Sequence, residues 1–190
     1  MEETVLLAPE IATDHLILNP LSAADVEALF AYRSLPEVCR YQGWAPASLQ
    51  EVAAFIEGLA STEFDTLGTW FQLGIRLRES RGLIGDLGVH FLDDGQQVEV
   101  GFTTAPAFQR KGLATEAVVG LLDCLFGSLG KHRVTASVDP RNTASLGVVR
   151  RIGMRQEAHF VQSVYFKGGW VDDLVFAVLA QEWSERQSVR

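Results

Sequence analysis

The residues best placed to do chemistry lie in a short basic loop, residues 109–114, with the sequence Gln-Arg-Lys-Gly-Leu-Ala. An apolar run that predicts a strand over residues 98–104 precedes the loop, and a helical pattern begins at Ala114. A helix start offers backbone N–H groups without internal partners, and Gly112 has no Cβ to keep an anion away from them. Arg110 and Lys111 add positive charge to that end of the helix. The loop therefore indicates a pyrophosphate cradle, and the alternative is a plain connection with a solvated basic pair.

The elements that must position this loop follow from periodicity and turn signals. The predicted strands cover residues 15–18, 70–77, 83–92, 98–104, 133–138, 154–166 and 170–179. The predicted helices begin after Ser22 and end at Pro36, run from Ser48 to Leu59, run from Ala114 to Leu129, and run from Asn142 to Gly153. Short turns join the three strands before the loop, and a helical crossover makes the strand after it parallel to the strand before it. The fold class is therefore α+β, with a mixed, mostly antiparallel sheet of six to seven strands and helices on both faces.

Composition restricts the class of protein. The chain has 190 residues, of which 47% are apolar, as expected for one domain over residues 1–190 with loosely ordered ends at 1–12 and 183–190. No apolar run approaches the ~20 residues of a membrane span, and the acidic N-terminus argues against a signal peptide. A net charge of −8 argues against nucleic acid as a partner. Cys39 and Cys124 lack metal-ligand spacing, so we expect no metal and either reduced thiols in the cytoplasm or one disulfide.

Four segments of the sequence carry a resemblance to a known family. They are residues 98–102, 109–117, 139–145 and 151–154. Together they resemble the GNAT acetyltransferase superfamily, and within it the RimJ/RimL-like branch named for ribosomal-protein N-acetyltransferases. The resemblance covers about residues 13 to 182. Gln109-x-x-Gly112-x-Ala114 fits the family's (Q/R)xxGx(G/A) signature, and the strand before it, the helix after it and the Asn-x-x-Ser helix start at Asn142 strengthen the match.

The resemblance implies an acetyl-CoA site without a metal. The pyrophosphate would lie on the backbone N–H groups of residues 110–115. The pantetheine arm would follow the backbone of residues 102–104, where the family's sheet splays open, and Asn142 would bond the arm while capping its helix. The implied cofactor-binding residues are Phe102, Thr103, Thr104, Gln109, Arg110, Lys111, Gly112, Leu113, Ala114, Thr115, Asn142 and Ser145.

Acetyl transfer to an amine needs a base, and the leading candidate is Glu99. The family's histone-acetylating members carry a base glutamate at a similar place. If the preceding turn is residues 93–96, His90 lies directly opposite Glu99 and could hydrogen-bond it or act as the base itself. A one-residue change of register would separate the two, and an ordinary cross-strand polar pair has the same pattern. RimL-like enzymes are thought to carry a glutamate on a later strand, where this chain has Val164.

The same chemistry needs a donor for the developing oxyanion and an acid for the leaving thiolate. The oxyanion donor would be a backbone N–H near Phe102 or Thr103. Ser145 matches a serine thought to lie near the CoA sulfur in RimL-like enzymes, so the resemblance makes it the candidate acid. Tyr165 is a second candidate, with packing on the sheet as its alternative role.

The predicted function is direct transfer of acetyl from acetyl-CoA to a primary amine, with no covalent enzyme intermediate. The acceptor is a protein N-terminus, a polyamine, an aminoglycoside or another small amine. The alternative is a catalytically silent acyl-CoA-binding sensor. We expect a cytoplasmic monomer or homodimer. Residues predicted to line the acceptor groove or to attract a cation are Tyr41, Trp44, Trp70, Trp170, Asp86, Asp172 and Asp173.

Overall fold

The computed structural model describes residues 10–59 and 61–187 and is organised around one eight-stranded sheet. The strands are β1 (Ile11–Ala12), β2 (Leu16–Pro20), β3 (Thr69–Leu77), β4 (Leu83–Phe91), β5 (Gln97–Thr104), β6 (Arg133–Val138), β7 (Arg155–Phe166) and β8 (Gly169–Leu179). They lie in the order β1-β2-β3-β4-β5-β6-β8-β7, and only β5 and β6 pair in parallel. The predicted mixed, mostly antiparallel sheet is confirmed, with one strand more than expected.

Helices cover both faces of this sheet, as predicted. They are α1 (Val26–Arg33), α2 (Pro36–Cys39), α3 (Leu49–Leu59), α4 (Leu113–Asp123), α5 (Thr143–Arg151) and α6 (Ala180–Gln187). A five-residue π-helical turn, Cys124–Ser128, extends α4. On one face, α4, α5 and α6 pack on the main core, while α1, α2 and α3 enclose a smaller apolar cluster on the other.

Strand alternation separates an apolar face of the sheet from a polar one. Leu87 and Val89 of β4 and Val98 of β5 are fully buried against the α4 side. The residues next to them in sequence point the other way, and these include Asp86, His90 and Glu99. The face that carries α1 is therefore the one that presents ionisable groups.

Two expectations about the ends of elements are wrong. Pro36 does not terminate the first helix; α1 ends at Arg33, and Pro36 is the first residue of α2, where its missing N–H is not needed. The C-terminal segment was expected to be loose from residue 183, but it forms α6, with Trp183 only 5% exposed and its indole nitrogen donating to Asp123 at 2.7 Å. At the other end, residues 11 and 12 form β1. Residues 1–9 and 188–190 lie outside the described residues.

A buried ion pair joins α1 to the polar face of the sheet. Asp86 is fully buried and accepts hydrogen bonds from Nε of Arg33 at 3.0 Å and from the hydroxyl of Tyr32 at 2.6 Å. Arg33 Nη2 and Gln72 Nε2 also donate to this carboxylate. The Asp86 carboxylate was predicted to attract a cationic substrate, and this is wrong because Arg33 already neutralises it inside the protein.

Arg33→Met should lower the free energy of unfolding by about 3 kcal/mol or more, because it leaves the buried Asp86 carboxylate without its cation. Urea-induced unfolding measures the loss. Arg81→Met is the matched control, since Arg81 pairs with Glu10 at 3.6 Å on the surface with both side chains more than half exposed. We expect that control to lose less than about 1 kcal/mol. Equal losses in the two variants would contradict the role assigned to the buried pair.

Candidate active site

The parallel pair of strands opens into a gap. β5 and β6 pair only where Gln97–Glu99 face Arg133–Thr135, yet β5 continues to Thr104 and β6 to Val138. Beyond Glu99, the edge of β5 that faces β6 therefore has no strand partner among residues 10–59 and 61–187. This leaves backbone N–H and C=O groups available to an extended ligand.

A cleft of about 740 Å³ occupies the same end of the sheet. Its lining includes all of the predicted cofactor-binding residues except Lys111: Phe102, Thr103, Thr104, Gln109, Arg110, Gly112, Leu113, Ala114, Thr115, Asn142 and Ser145. The Lys111 side chain lies instead over Phe108, with Nζ 5.3 Å from the ring centroid. The fold thus gathers at one cleft the residues that the sequence distributes over three segments.

The basic loop has the backbone that an anion cradle requires. Gly112 is the N-cap of α4 in the left-handed conformation, with φ +81°, and a Cβ built there would meet no atom within 4 Å. Arg110 is also left-handed, with φ +61°. The side-chain amide of Gln109 donates to the carbonyl of Thr104 at 3.0 Å, which ties the loop to the end of β5. The first N–H groups of α4 therefore lack helical partners at a helix start that lines the cleft.

Glu116 fixes the first turn of α4 to the N-terminal strands. Its Oε1 accepts from the hydroxyl of Thr13 at 2.5 Å and from the backbone N–H of His15 at 2.7 Å. Burial acts to raise the pKa of Glu116, but these hydrogen bonds and the nearby imidazole outweigh it and hold the pKa below its usual value. The cradle is therefore anchored at both ends, by Gln109 and by Glu116.

Two buried hydroxyl groups in the cleft lack partners. The Oγ1 atoms of Thr103 and Thr104 are buried, and neither has a hydrogen-bond partner within the described residues. A buried polar group without a partner is costly, so such groups commonly mark a ligand site. The uncapped N-terminus of α4 fits the diphosphate of CoA.

The start of α5 forms another wall of the cleft. Asn142 caps α5, with Oδ1 accepting from the backbone N–H of Ser145 at 3.1 Å. Arg151, at the other end of α5, also lines the cleft and reaches Thr115 Oγ1 at 3.4 Å. The sequence reasoning did not assign Arg151 a binding role. The sequence feature that could have indicated this role is the pair Arg150 and Arg151 in the last turn of the helix that Asn142 caps.

The opposite wall of the cleft was not predicted from the sequence to bind the cofactor. It comprises Glu37 and Val38 of α2 with the following residues Tyr41 and Gln42. The hydroxyl of Tyr41 donates to the carbonyl of Arg141 at 3.1 Å and so joins this wall to the segment before α5. The sequence predicted that Tyr41 lines the acceptor groove. The four-residue helix α2 is too short to show a helical period, so this wall had no local signal.

Glu99 and His90 stand directly opposite each other across β5 and β4, so the predicted register is confirmed. No hydrogen bond joins the two side chains within the described structure; the His90 ring stacks on Trp70 with centroids 4.7 Å apart and planes 8° apart. Burial raises the pKa of Glu99, the charge of Asp173 raises it further, and His90 opposes the change. Glu99 and His90 lie outside the cleft lining, farther along β5 from the loop.

Asp173 reaches this polar face from β8. Ser137 donates a hydrogen bond to its Oδ1 at 2.6 Å, and Ser137 is two residues beyond Thr135, the β6 partner of Glu99. Gly101 follows Glu99 on the same face, and a Cβ there would meet nothing within 4 Å. The area between Glu99 and Asp173 is thus open above the sheet and bordered by carboxylates.

Other residues that the sequence predicted to act in the site lie outside the cleft lining. Tyr165 is 63% exposed and packs edge-on against Trp170, outside the cleft lining. Asp172 accepts from His159 at 2.7 Å and from the backbone of residue 162. Trp44 packs on Phe55 in the smaller core.

Within residues 10–59 and 61–187, no three His, Cys, Asp or Glu side chains are grouped so that they could hold a metal ion. No helix in that part of the chain is long and apolar enough to cross a membrane.

Comparisons with known proteins identify the family. Residues 15–155 match the acetyltransferase (GNAT) domain. The uncharacterized N-acetyltransferase YoaA of Bacillus subtilis is 31% identical over 173 residues, which is 90% of this chain and 97% of YoaA. A GNAT-family acetyltransferase of Bacillus anthracis superposes with a TM-score of 0.84 at 25% identity, covering 92% of this chain and all of that one. RimL, a ribosomal alpha-N-protein acetyltransferase solved with coenzyme A, has a TM-score of 0.79 at 18% identity, covering 92% of this chain and 99% of RimL.

The chain belongs to the GNAT acetyltransferase domain family. It is thereby an N-acetyltransferase of the acetyl-CoA-dependent class, and the resemblance found in its sequence is confirmed.

Proposed function

We propose that this chain binds acetyl-CoA in the cleft between β5, α4 and α5 and transfers the acetyl group directly to a primary amine on the polar face of the sheet. The observation that carries the proposal is the combination of a free β5 edge and an uncapped helix start in one cleft.

In this proposal the diphosphate lies on the N–H groups of residues 110–115, and Arg110 and Arg151 supply positive charge. The pantetheine arm follows the open edge of β5 from Thr104 towards Glu99. Strand geometry gives about 17 Å between these two Cα positions, a length suited to an extended arm. The acetyl end therefore lies between the basic loop and Glu99, beside the N–H groups near Phe102 and Thr103.

Glu99 is the proposed base. Its carboxylate takes a proton from the acceptor ammonium, directly or through a water, and the neutral amine attacks the acetyl carbonyl. A backbone N–H of β5 near Phe102 or Thr103 stabilises the negative charge on the carbonyl oxygen. The C–S bond then breaks, Ser145, which lines the cleft, gives its proton to the CoA thiolate, and the proton that leaves the new amide nitrogen restores the Ser145 hydroxyl. His90 remains the alternative base because it faces the same area.

The acceptor site is proposed to lie over Gly101, between Glu99 and Asp173. Both carboxylates attract an ammonium group, and the exposed ring of Trp70 offers an apolar surface beside them. Ribosomal-protein N-acetyltransferases occur among the relatives, so a protein N-terminus is the first acceptor to test. Polyamines and aminoglycosides are the small-molecule alternatives.

Release of free thiol from acetyl-CoA tests this function. The wild-type protein is incubated with acetyl-CoA and, separately, with N-terminal peptides, a polyamine and an aminoglycoside, and the acetylated amine is identified by mass spectrometry. We expect thiol release in equal amount to amine acetylation with at least one acceptor. Tight acetyl-CoA binding without any transfer would contradict the enzymatic proposal and favour the sensor function.

We further propose one domain over residues 1–190, acting in the cytoplasm as a monomer or homodimer without nucleic acid as a partner. Cys39 and Cys124 are both free thiols, and the net charge is −8, which fits a reducing compartment and a cationic substrate.

A further inference from the structure

Gln42 is held in one orientation on the wall of the cleft. Its Oε1 accepts a hydrogen bond from Nη1 of Arg33 at 3.1 Å, and Gln42 itself lines the cleft. A guanidinium can only donate, so the oxygen of the Gln42 amide must face Arg33. The NH₂ group of the amide is consequently turned away from Arg33.

Arg33 is fixed in turn by a buried carboxylate. Its Nε donates to Asp86 at 3.0 Å and its Nη2 donates to the other carboxylate oxygen. Asp86 is fully buried and also accepts from Tyr32 at 2.6 Å. This charge-assisted network, and not the solvent, sets the orientation of the Gln42 amide.

The network lies at the level of Thr103 along β5, on the side of that strand that pairs with β4. Asp86 lies directly opposite Thr103 in the β4–β5 ladder, and Thr103 carries one of the two unpaired buried hydroxyls. Nε2 of Gln42 also makes no hydrogen bond to any described residue. A donor held rigidly beside a cleft without a partner is suited to an acceptor on a bound ligand.

We propose that Nε2 of Gln42 donates a hydrogen bond to a carbonyl oxygen of the acetyl-pantetheine arm, and that Arg33 and Asp86 are the positioning residues that hold it there. The inference rests on the proposed function, because it needs the arm to lie along β5. The acceptor ammonium is excluded as the partner, since a cationic amine offers only donors. The carbonyl belongs either to an amide of the arm or to the acetyl thioester.

Gln42→Glu tests the inference, because a carboxylate still accepts from Arg33 but puts a negatively charged acceptor in place of the NH₂ donor. Gln42→Met removes the donor without adding charge. Both variants and the wild type are titrated calorimetrically with CoA and with acetyl-CoA. Acetyl-CoA affinity should fall about threefold to tenfold in Gln42→Met and further in Gln42→Glu. An equal loss with CoA assigns the bond to an amide of the arm, and an unchanged CoA affinity assigns it to the acetyl group.

Gln50→Met, on the exposed surface of α3 and outside the cleft lining, is the control and should bind both ligands as the wild type does. Arg33→Lys should weaken binding alone but add nothing in the Gln42→Met background, because a positioning residue acts only through the group it positions. Unchanged affinity of both Gln42 variants for both ligands would overturn the role of Gln42. A wild type that binds neither ligand would instead refute the proposed function.

Discussion

Gly112→Trp should abolish measurable acetyl-CoA binding while the protein remains folded. Gly112 has φ +81° at the N-cap of α4, and no atom lies within 4 Å of the position a Cβ would take. The indole therefore enters open space at the helix start and covers the N–H groups proposed to hold the diphosphate. The left-handed backbone costs a non-glycine residue about 1–2 kcal/mol, which a domain of this size tolerates.

Gly130→Trp is the matched control. Gly130 is also left-handed, with φ +62°, is exposed, and has nothing within 4 Å of its Cβ position, but it lies outside the cleft lining. Both variants should lose similar stability in thermal unfolding, and only Gly112→Trp should lose calorimetric binding. Wild-type affinity in Gly112→Trp would show that the diphosphate lies elsewhere.

Glu99→Gln should lower kcat about a hundredfold or more with little change in the Kd of acetyl-CoA, because general base catalysis typically contributes that much. The substitution keeps the shape of the side chain and removes its basicity. Glu99 lies outside the cleft lining, so the cofactor site stays intact. Steady-state kinetics and calorimetry on the same preparation separate the two effects.

The pH dependence provides a second test of Glu99. Burial and Asp173 raise the pKa of Glu99 above its ordinary value. A base acts only when deprotonated, so kcat of the wild type should rise with pH through this raised pKa and level off above it. Asp173→Asn removes a charge that raises the pKa, so the rise should move to lower pH. Persistence of the same rise in Glu99→Gln would assign it to another group, with His90 the next candidate.

Local pattern was sufficient to predict the cradle and its neighbours. The strand before the loop, the helix after it and the Asn142 cap each depend on residues close in sequence, and the helical crossover fixes the parallel pairing of β5 and β6. The length of the turn at residues 93–96 sets the register that places His90 opposite Glu99.

The features that sequence reasoning missed depend on contacts between distant segments. Asp86 is an unremarkable acidic residue in sequence, and its burial follows from Arg33, which lies 53 positions earlier. The four-residue helix α2 is too short to show periodicity, so the wall carrying Gln42 had no local signal. The polar sequence of α6 gives no indication that Trp183 docks on Asp123.

Calorimetric titration of the wild-type protein with acetyl-CoA tests the central claim most directly. We predict a single site with micromolar-range affinity that weakens as salt is added, because charged loop and helix groups bind the diphosphate. The absence of binding to the folded protein would contradict the assignment of the cleft.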